Sequence, residues 1–393
     1  MGIATVTSYR IAKNQKLQSP YVQLPVYFET FPYSGLLKTH SYDHHVTDSA
    51  ASAVALLNGR KVDSMTLGMK PGLSVICTTS PEDHIEGIAD LAIEKGLAVG
   101  SVTNTRITHA TPAALFAKGV HRLFEYDEEE LIESGATCRN DIAAQLLNYP
   151  AANFQVIMGG GANRLMDSSR GGKRRDGLNV DLEWEKLGGK RKILRTGKDL
   201  REYNASRGEK VLGIFAPSHI PYVVDRNNSP VVPELYEMTA KAIEILRHHD
   251  KGYFLLVEGG NIDLAEHANE MHYAFAEMSS FEHAIRTARE MTDPSETLIL
   301  VTSDHGHALT IAGYLMANRS IFENDIVQGD KLLPSMFFAT GPGYRGGFSQ
   351  ELIIDDWRAV NYMQPSAVFE EYGRHGGEDV GIWADGPFAE YVF

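Results

Sequence analysis

GYFLLVEGGNID, residues 252–263, sets the architecture. Five apolar or aromatic residues run without a break, close on Glu258, turn on two glycines and resume at Asp263. A run this short, without polar alternation, reads as a strand buried on both faces whose carboxyl end opens onto a loop. GLAVGSVTNTR (96–106), FQVIMGGG (154–161) and TLILVTSDHGH (297–307) have the same form. Helical spacing lies between them, in EDHIEGIADLAIEKG (82–96) and VPELYEMTAKAIEILRHH (232–249). The alternation predicts an α/β layered sandwich, a central mostly parallel sheet flanked by helices. Ligands in such folds gather beyond the carboxyl ends of the strands, where the polar residues of these four runs fall. From 313 to 374 the text becomes irregular, as in ATGPGYRGGFSQ (339–350). This predicts an inserted surface subdomain, with 1–312 and 375–393 forming the main α/β domain.

The whole chain agrees with one large domain and an insertion. It has 393 residues, 43% of them hydrophobic, enough to bury a large core, and no low-complexity linker divides it. Thirty-seven Lys and Arg against 51 Asp and Glu give a net charge of −14, which argues against a nucleic-acid partner or an anionic membrane surface. The basic exception, GGKRRDG (171–177) with GGKRK (188–192), reads as a solvated loop rather than a polyanion site. No apolar run reaches the length of a membrane helix. Cys77 and Cys138 alone decide between free thiols and a disulfide no better than their number allows. Sequons at Asn204, Asn227 and Asn318 lean toward a secretory route.

Four clusters carry chemistry. SDHGH (303–307) puts Asp304, His305 and His307 at a strand end, a carboxylate and imidazoles of the kind zinc accepts; the alternative is a hydrogen-bonded turn. Asp263 and His267 stand four apart, on one face of a helix if one begins there, as a chelating pair or an ordinary surface pair. Ser49 opens the helical run AASAVALLNG, where free N–H groups favour anions, although a serine there is also an ordinary N-cap. His109 and Thr111 follow a strand, and Arg122 beyond them offers the planar fork that suits phosphate. His375, before two glycines, is a weaker signal, and the DHH of 43–45 reads as loop.

With these stretches in place, the chain resembles the alkaline phosphatase family, and most closely its animal, membrane-anchored branch. The resemblance runs nearly end to end through GIATVTSYRI, FPYSGLLKT, VTDSAASAVALLNG, HATPAALFA with Arg122, MGGGANR, VEGGNID, VTSDHGH and HGGEDV. It implies a phosphate monoesterase with Ser49 as nucleophile and Arg122 as phosphate clamp. Asp263, His267 and His375 would hold one zinc ion, and Asp304, His305 and Ser49 a second. Glu258 and Thr111 would hold magnesium, with His109, His307 and Asp48 standing behind the ligands. The resemblance further implies a Cys77–Cys138 disulfide, a homodimer meeting through the crown-like insertion, and a lipid anchor holding the protein on the outer cell surface.

Some residues depart from the pattern. Ala216 and Val232 stand where the branch has carboxylates for calcium, so no calcium is expected, and Leu264 replaces a histidine. The chain opens at Met1–Gly2, the end of the family's first metal-binding turn, without the strand and aspartate that precede it. Neither a signal peptide nor an anchor signal is recognisable. A partial sequence is the expectation; an inactive truncated relative acting as a surface binding protein is the alternative. A phosphodiesterase or sulfatase on the same scaffold is the competing enzyme.

Overall fold

The computed structural model describes residues 1–19, 21, 23–73, 80–127, 140–226, 231–326, 332–346 and 356–392. It divides into two compact units, Ser41–Gly260 and a second made from Met1–His40 with Asn261–Phe393.

The Ser41–Gly260 unit is built on a five-stranded sheet in the order Arg191–Leu194, Lys210–Ile214, Val156–Gly160, Ala98–Arg106, Tyr253–Glu258. Every pair in it is parallel, as the unbroken apolar runs predict. Val156–Gly160 is buried throughout and Ala98–Arg106 up to its last residue. Helix Leu235–Leu246 packs against both strands and presses so closely that a β-carbon on Gly100 would meet Leu246 at 2.8 Å and Val156 at 2.7 Å. Helix Ser49–Asn58 joins a core containing Val99, Phe154, Ile157, Trp184 and Leu212. Because the strands run one way, their polar ends fall together, with Thr103 paired to Glu258 and Arg106 to Gly160.

The other unit holds helices Ile3–Lys16, Asn261–His267 and Met271–Glu290. Its three-stranded sheet has the order Tyr33–Leu37, Val380–Asp385, Ile299–Thr302, and a second joins Leu309–Ile311, Met336–Gly341 and Ser366–Phe369. Ile299–Thr302 corrects a sequence expectation, since it pairs antiparallel, Ile382 opposite Thr302. Apolar content marks a strand but carries no direction.

Two further readings change. Residues 82–96 do not form one helix: a 3-10 turn at Pro81–Asp83 precedes helix Ile88–Glu94, and Gly87 separates them, its N–H donating 2.7 Å to Asp90. The basic stretch is not simply a solvated loop. Arg174 is 1% exposed and clamped by Asp141 at 2.8 and 3.0 Å and by Asp176 at 2.6 Å, while Arg170 and Arg195 both pair with buried Asp181. Buried charge at this density persists only when paired. Among the described residues, no helix is long and apolar enough to cross a membrane.

Candidate active site

In the Ser41–Gly260 unit, Asp48 takes the cap of helix Ser49–Asn58, accepting from the N–H groups of Ala50 (3.0 Å) and Ala51 (3.3 Å). Ser49 is therefore the first helical residue and not the cap, buried at 4% exposure. Met65 N–H also donates to Asp48, 2.8 Å, and Arg122 Nη1 pairs with it at 2.9 Å. Burial opposes ionisation of Asp48, but Arg122 and these amides outweigh it and hold its carboxyl below the ordinary carboxylate value. Arg122 Nη2 lies 3.4 Å from His109 Nε2. Burial, with Arg122 beside it, pushes His109 down to about 3. At the end of its strand, Glu258 accepts from Thr103 Oγ1 at 2.5 Å and Thr105 Oγ1 at 3.1 Å. Thr111 sits half-buried in helix Ala110–Ala114.

Beside these residues lies a pair that the sequence did not flag. Arg106 Nε donates to both oxygens of Glu125, 3.0 and 2.8 Å, and Thr108 Oγ1 adds a bond of 2.5 Å. Burial would raise Glu125, but Arg106 outweighs it and brings the carboxyl down to about 2 from an ordinary 4.5. A carboxyl depressed on folding binds fewer protons folded than unfolded, so its contribution is complete above about pH 4.5 and is lost as pH falls toward 2. Ionisation of Glu125 is expected to stabilise the protein by on the order of 3 kcal/mol at neutral pH relative to its protonated form. Glu125→Gln should flatten the fall in urea stability between about pH 4.5 and 2; an unchanged slope would contradict this.

In the other unit, glycines bring two histidine loops into contact. Gly376 N–H donates to Gly306 O at 2.7 Å, and a β-carbon on either glycine would stand 1.9 Å from a Glu378 oxygen. This close approach stacks the His305 and His375 rings, centroids 3.5 Å apart. Helix Asn261–His267 supplies Asp263 and His267, with 3.5 Å between Oδ2 and Nε2. Asp263, His305, His307 and His375 present possible ligand atoms all within 4.8 Å of one another.

Tautomers follow from the partners. His267 Nδ1 faces Gly373 O at 2.5 Å and His305 Nδ1 faces Gly306 O at 3.2 Å. A carbonyl only accepts, so in each ring Nδ1 carries the proton and a neutral ring leaves the lone pair on Nε2. Those lone pairs point at His375 Nε2, 3.1 Å from His267, and at Asp304 Oδ2, 3.1 Å from His305. With the rings neutral these contacts call for a cation among them, a role that a second ring proton fills when no ion is bound. This donor set of imidazole nitrogen and carboxylate oxygen fits a divalent metal.

His307 behaves differently. Its Nε2 stands 3.1 Å from Asp263 Oδ1 and its Nδ1 3.3 Å from Glu266 Oε2. Burial disfavours the charged ring, but Asp263 and Glu266 outweigh it and hold His307 up at about 9. A ring with carboxylates at both nitrogens orients Asp263 rather than donating a lone pair. Burial likewise opposes ionisation of Asp263 and Asp304, yet His307 holds the first, and His305 the second, far below the ordinary value. Glu266 was missed by the sequence reading. It is 0% exposed and accepts from Thr5 Oγ1 at 2.5 Å; its one signal was its place three residues after Asp263.

Asn204 and Asn318 are exposed. Asn227, Cys77 and Cys138 lie outside the described residues.

Comparison with known proteins bears on both units. A family model described as alkaline phosphatase matches residues 1–393. The chain is 35% identical over 413 residues to the tissue-nonspecific isozyme of alkaline phosphatase from Gallus gallus, covering 100% of this chain and 79% of that protein. Its fold is similar to the cold-active alkaline phosphatase of Shewanella sp., with a TM-score of 0.68 at 24% identity, covering 100% of this chain and 92% of that one. It is also similar to a variant of the TAB5 alkaline phosphatase with Mg bound, with a TM-score of 0.65 at 22% identity over 97% and 90% of the two chains.

Proposed function

Because the chain belongs to the alkaline phosphatase family, whose members hydrolyse phosphate monoesters, we propose that Ser49 is its nucleophile and Arg122 its phosphate clamp. The observation that carries this reading is the disposition of Asp48. By capping the helix and gripping Arg122, Asp48 relieves Ser49 of the capping role and fixes one edge of the guanidinium. Ser49 Oγ gives up its proton and attacks phosphorus, the bond from phosphorus to the ester oxygen breaks, and the alcohol leaves carrying a proton. Water then cleaves the phosphoserine to release phosphate, while Arg122 forks two phosphoryl oxygens. Helix N–H groups beside Ser49 add positive potential for the incoming dianion.

Asp263, His267 and His375 are assigned to one zinc ion, Asp304 and His305 with Ser49 to a second, and Glu258 with Thr111 to magnesium. When bound, such ions neutralise phosphate charge and lower the proton affinity of a coordinated hydroxyl. The tautomers of His267 and His305 support the first two assignments. His307 and Glu266 hold Asp263, and His109 steadies Arg122. No calcium is assigned, because Ala216 and Val232 offer no carboxylate.

The resemblance to the animal branch implies finer features, which belong to the same proposal. These are the Cys77–Cys138 disulfide, glycosylation at Asn204, Asn227 and Asn318, a homodimer formed through 313–374, and a lipid-anchored place outside the cell.

Hydrolysis of an aryl phosphate monoester compared with its diester tests the substrate class. The monoester is expected to be preferred by at least about 10³-fold in kcat/KM, since its dianion offers the cationic site a third free oxygen and a second charge that a diester lacks. A preference for the diester, or for an aryl sulfate, would replace this reading with the competing one.

A further inference from the structure

The triple glycine of MGGGANR (158–164) has so far found no role. Gly161 adopts φ +103°, a conformation open mainly to glycine, and its N–H is shared between Ala216 O at 3.0 Å and Ser218 O at 2.8 Å. A β-carbon on Gly160 would lie 2.0 Å from Ser218 O. Ile220 N–H donates to Asn104 O at 2.9 Å, so loop 216–220 is pinned to the ends of two neighbouring strands. His219, inside that loop, is thereby aimed at Arg106 and His109.

Arg106 Nη1 donates to His219 Nε2, and the His219 ring meets the His109 ring edge to face, centroids 5.2 Å apart at 80°. Arginine has only donors. His219 Nε2 therefore accepts from Arg106, and His109 Nε2 accepts from Arg122. A continuous series results, from Glu125 through Arg106, His219 and His109 to Arg122, whose other edge is fixed by Asp48.

We propose that His219 is a positioning residue for the phosphate clamp: the glycine turn sets His219, which buttresses His109, which holds the edge of Arg122 that Asp48 does not. The inference rests on the assignment of Arg122 to phosphate. Without His219, Arg106 loses an acceptor, the His109 ring loses its support, and the guanidinium pivots about Asp48 away from a two-oxygen grip.

Inhibition by inorganic phosphate, measured on the full chain supplied with zinc and magnesium, tests it. His219→Ala is expected to weaken inhibition and raise KM by about tenfold, and His219→Gln, which keeps an acceptor for Arg106, by about threefold. In an Arg122→Ala background, His219→Ala should change the inhibition constant by less than about twofold, because the clamp it positions is gone. A merely structural role would leave the two effects additive, and that result overturns the proposal. So does a His219→Ala protein that phosphate inhibits as it does the parent while Arg122→Ala escapes inhibition. If Arg122→Ala leaves phosphate inhibition intact, the assignment of Arg122 fails first, and the positioning role falls with it.

Discussion

Ser49→Ala is expected to lower kcat/KM for an aryl phosphate monoester by about 10³-fold or more while leaving the fold in place. Magnitudes separate the two effects. Loss of a helix cap costs about 0.5–2 kcal/mol of stability, but the cap here is Asp48, so alanine at the first helical position should shift unfolding very little. A 10³-fold loss in rate corresponds to roughly 4 kcal/mol in the barrier, more than slight repacking around one small buried side chain would supply. Phosphate inhibition should survive in part, since Arg122 and its fork remain. Incubation of the parent protein with substrate labelled on phosphorus, followed by acid quench, should leave label on Ser49 and none in the variant. Activity of Ser49→Ala within tenfold of the parent would remove Ser49 from the reaction.

Much of the candidate site was legible because its residues fall where strands stop. Glu258 closes one apolar run and Asp263 follows it past a glycine turn, while Asp304 and His305 stand just beyond another, so periodicity and residue type alone placed them near strand ends. Asp263 and His267 share a helix face, as four-residue spacing requires. What stayed hidden depends on contacts distant in sequence. Glu266 reads as a surface helix residue until Thr5 and His307 close over it. Arg174 reads as part of a solvated basic loop until Asp141, thirty-three residues away, takes both its terminal nitrogens. His219 is a lone histidine between short loop residues, and only the glycine turn at 159–161 gives it a direction. The run 297–307 identified a strand and its terminal residues correctly, but its direction depended on pairing with Val380–Asp385.

Removal of metal is expected to abolish activity and also to loosen the protein. In the unit containing Asn261–Phe393, Asp263 and Asp304 stand among imidazoles whose Nε2 lone pairs face inward. The carbonyls of Gly373 and Gly306 hold a proton on each Nδ1, so without an ion the rings relieve the repulsion by taking a second proton on Nε2, which a bound ion displaces. A divalent ion removes the conflict, and the free energy of its binding appears as folding stability. Treatment with a chelator followed by dialysis should therefore cost at least about 100-fold in activity and lower the unfolding temperature, with zinc restoring both. His375→Ala should lower the zinc content of the purified protein and reduce activity by a similar factor of roughly 100. His307→Gln should act less severely, because that ring orients Asp263 through its Nε2 and lends no lone pair to the ion. A chelated, metal-free protein that keeps both its activity and its unfolding temperature would show that these lone pairs converge on nothing, and the catalytic assignment of both units would have to be abandoned.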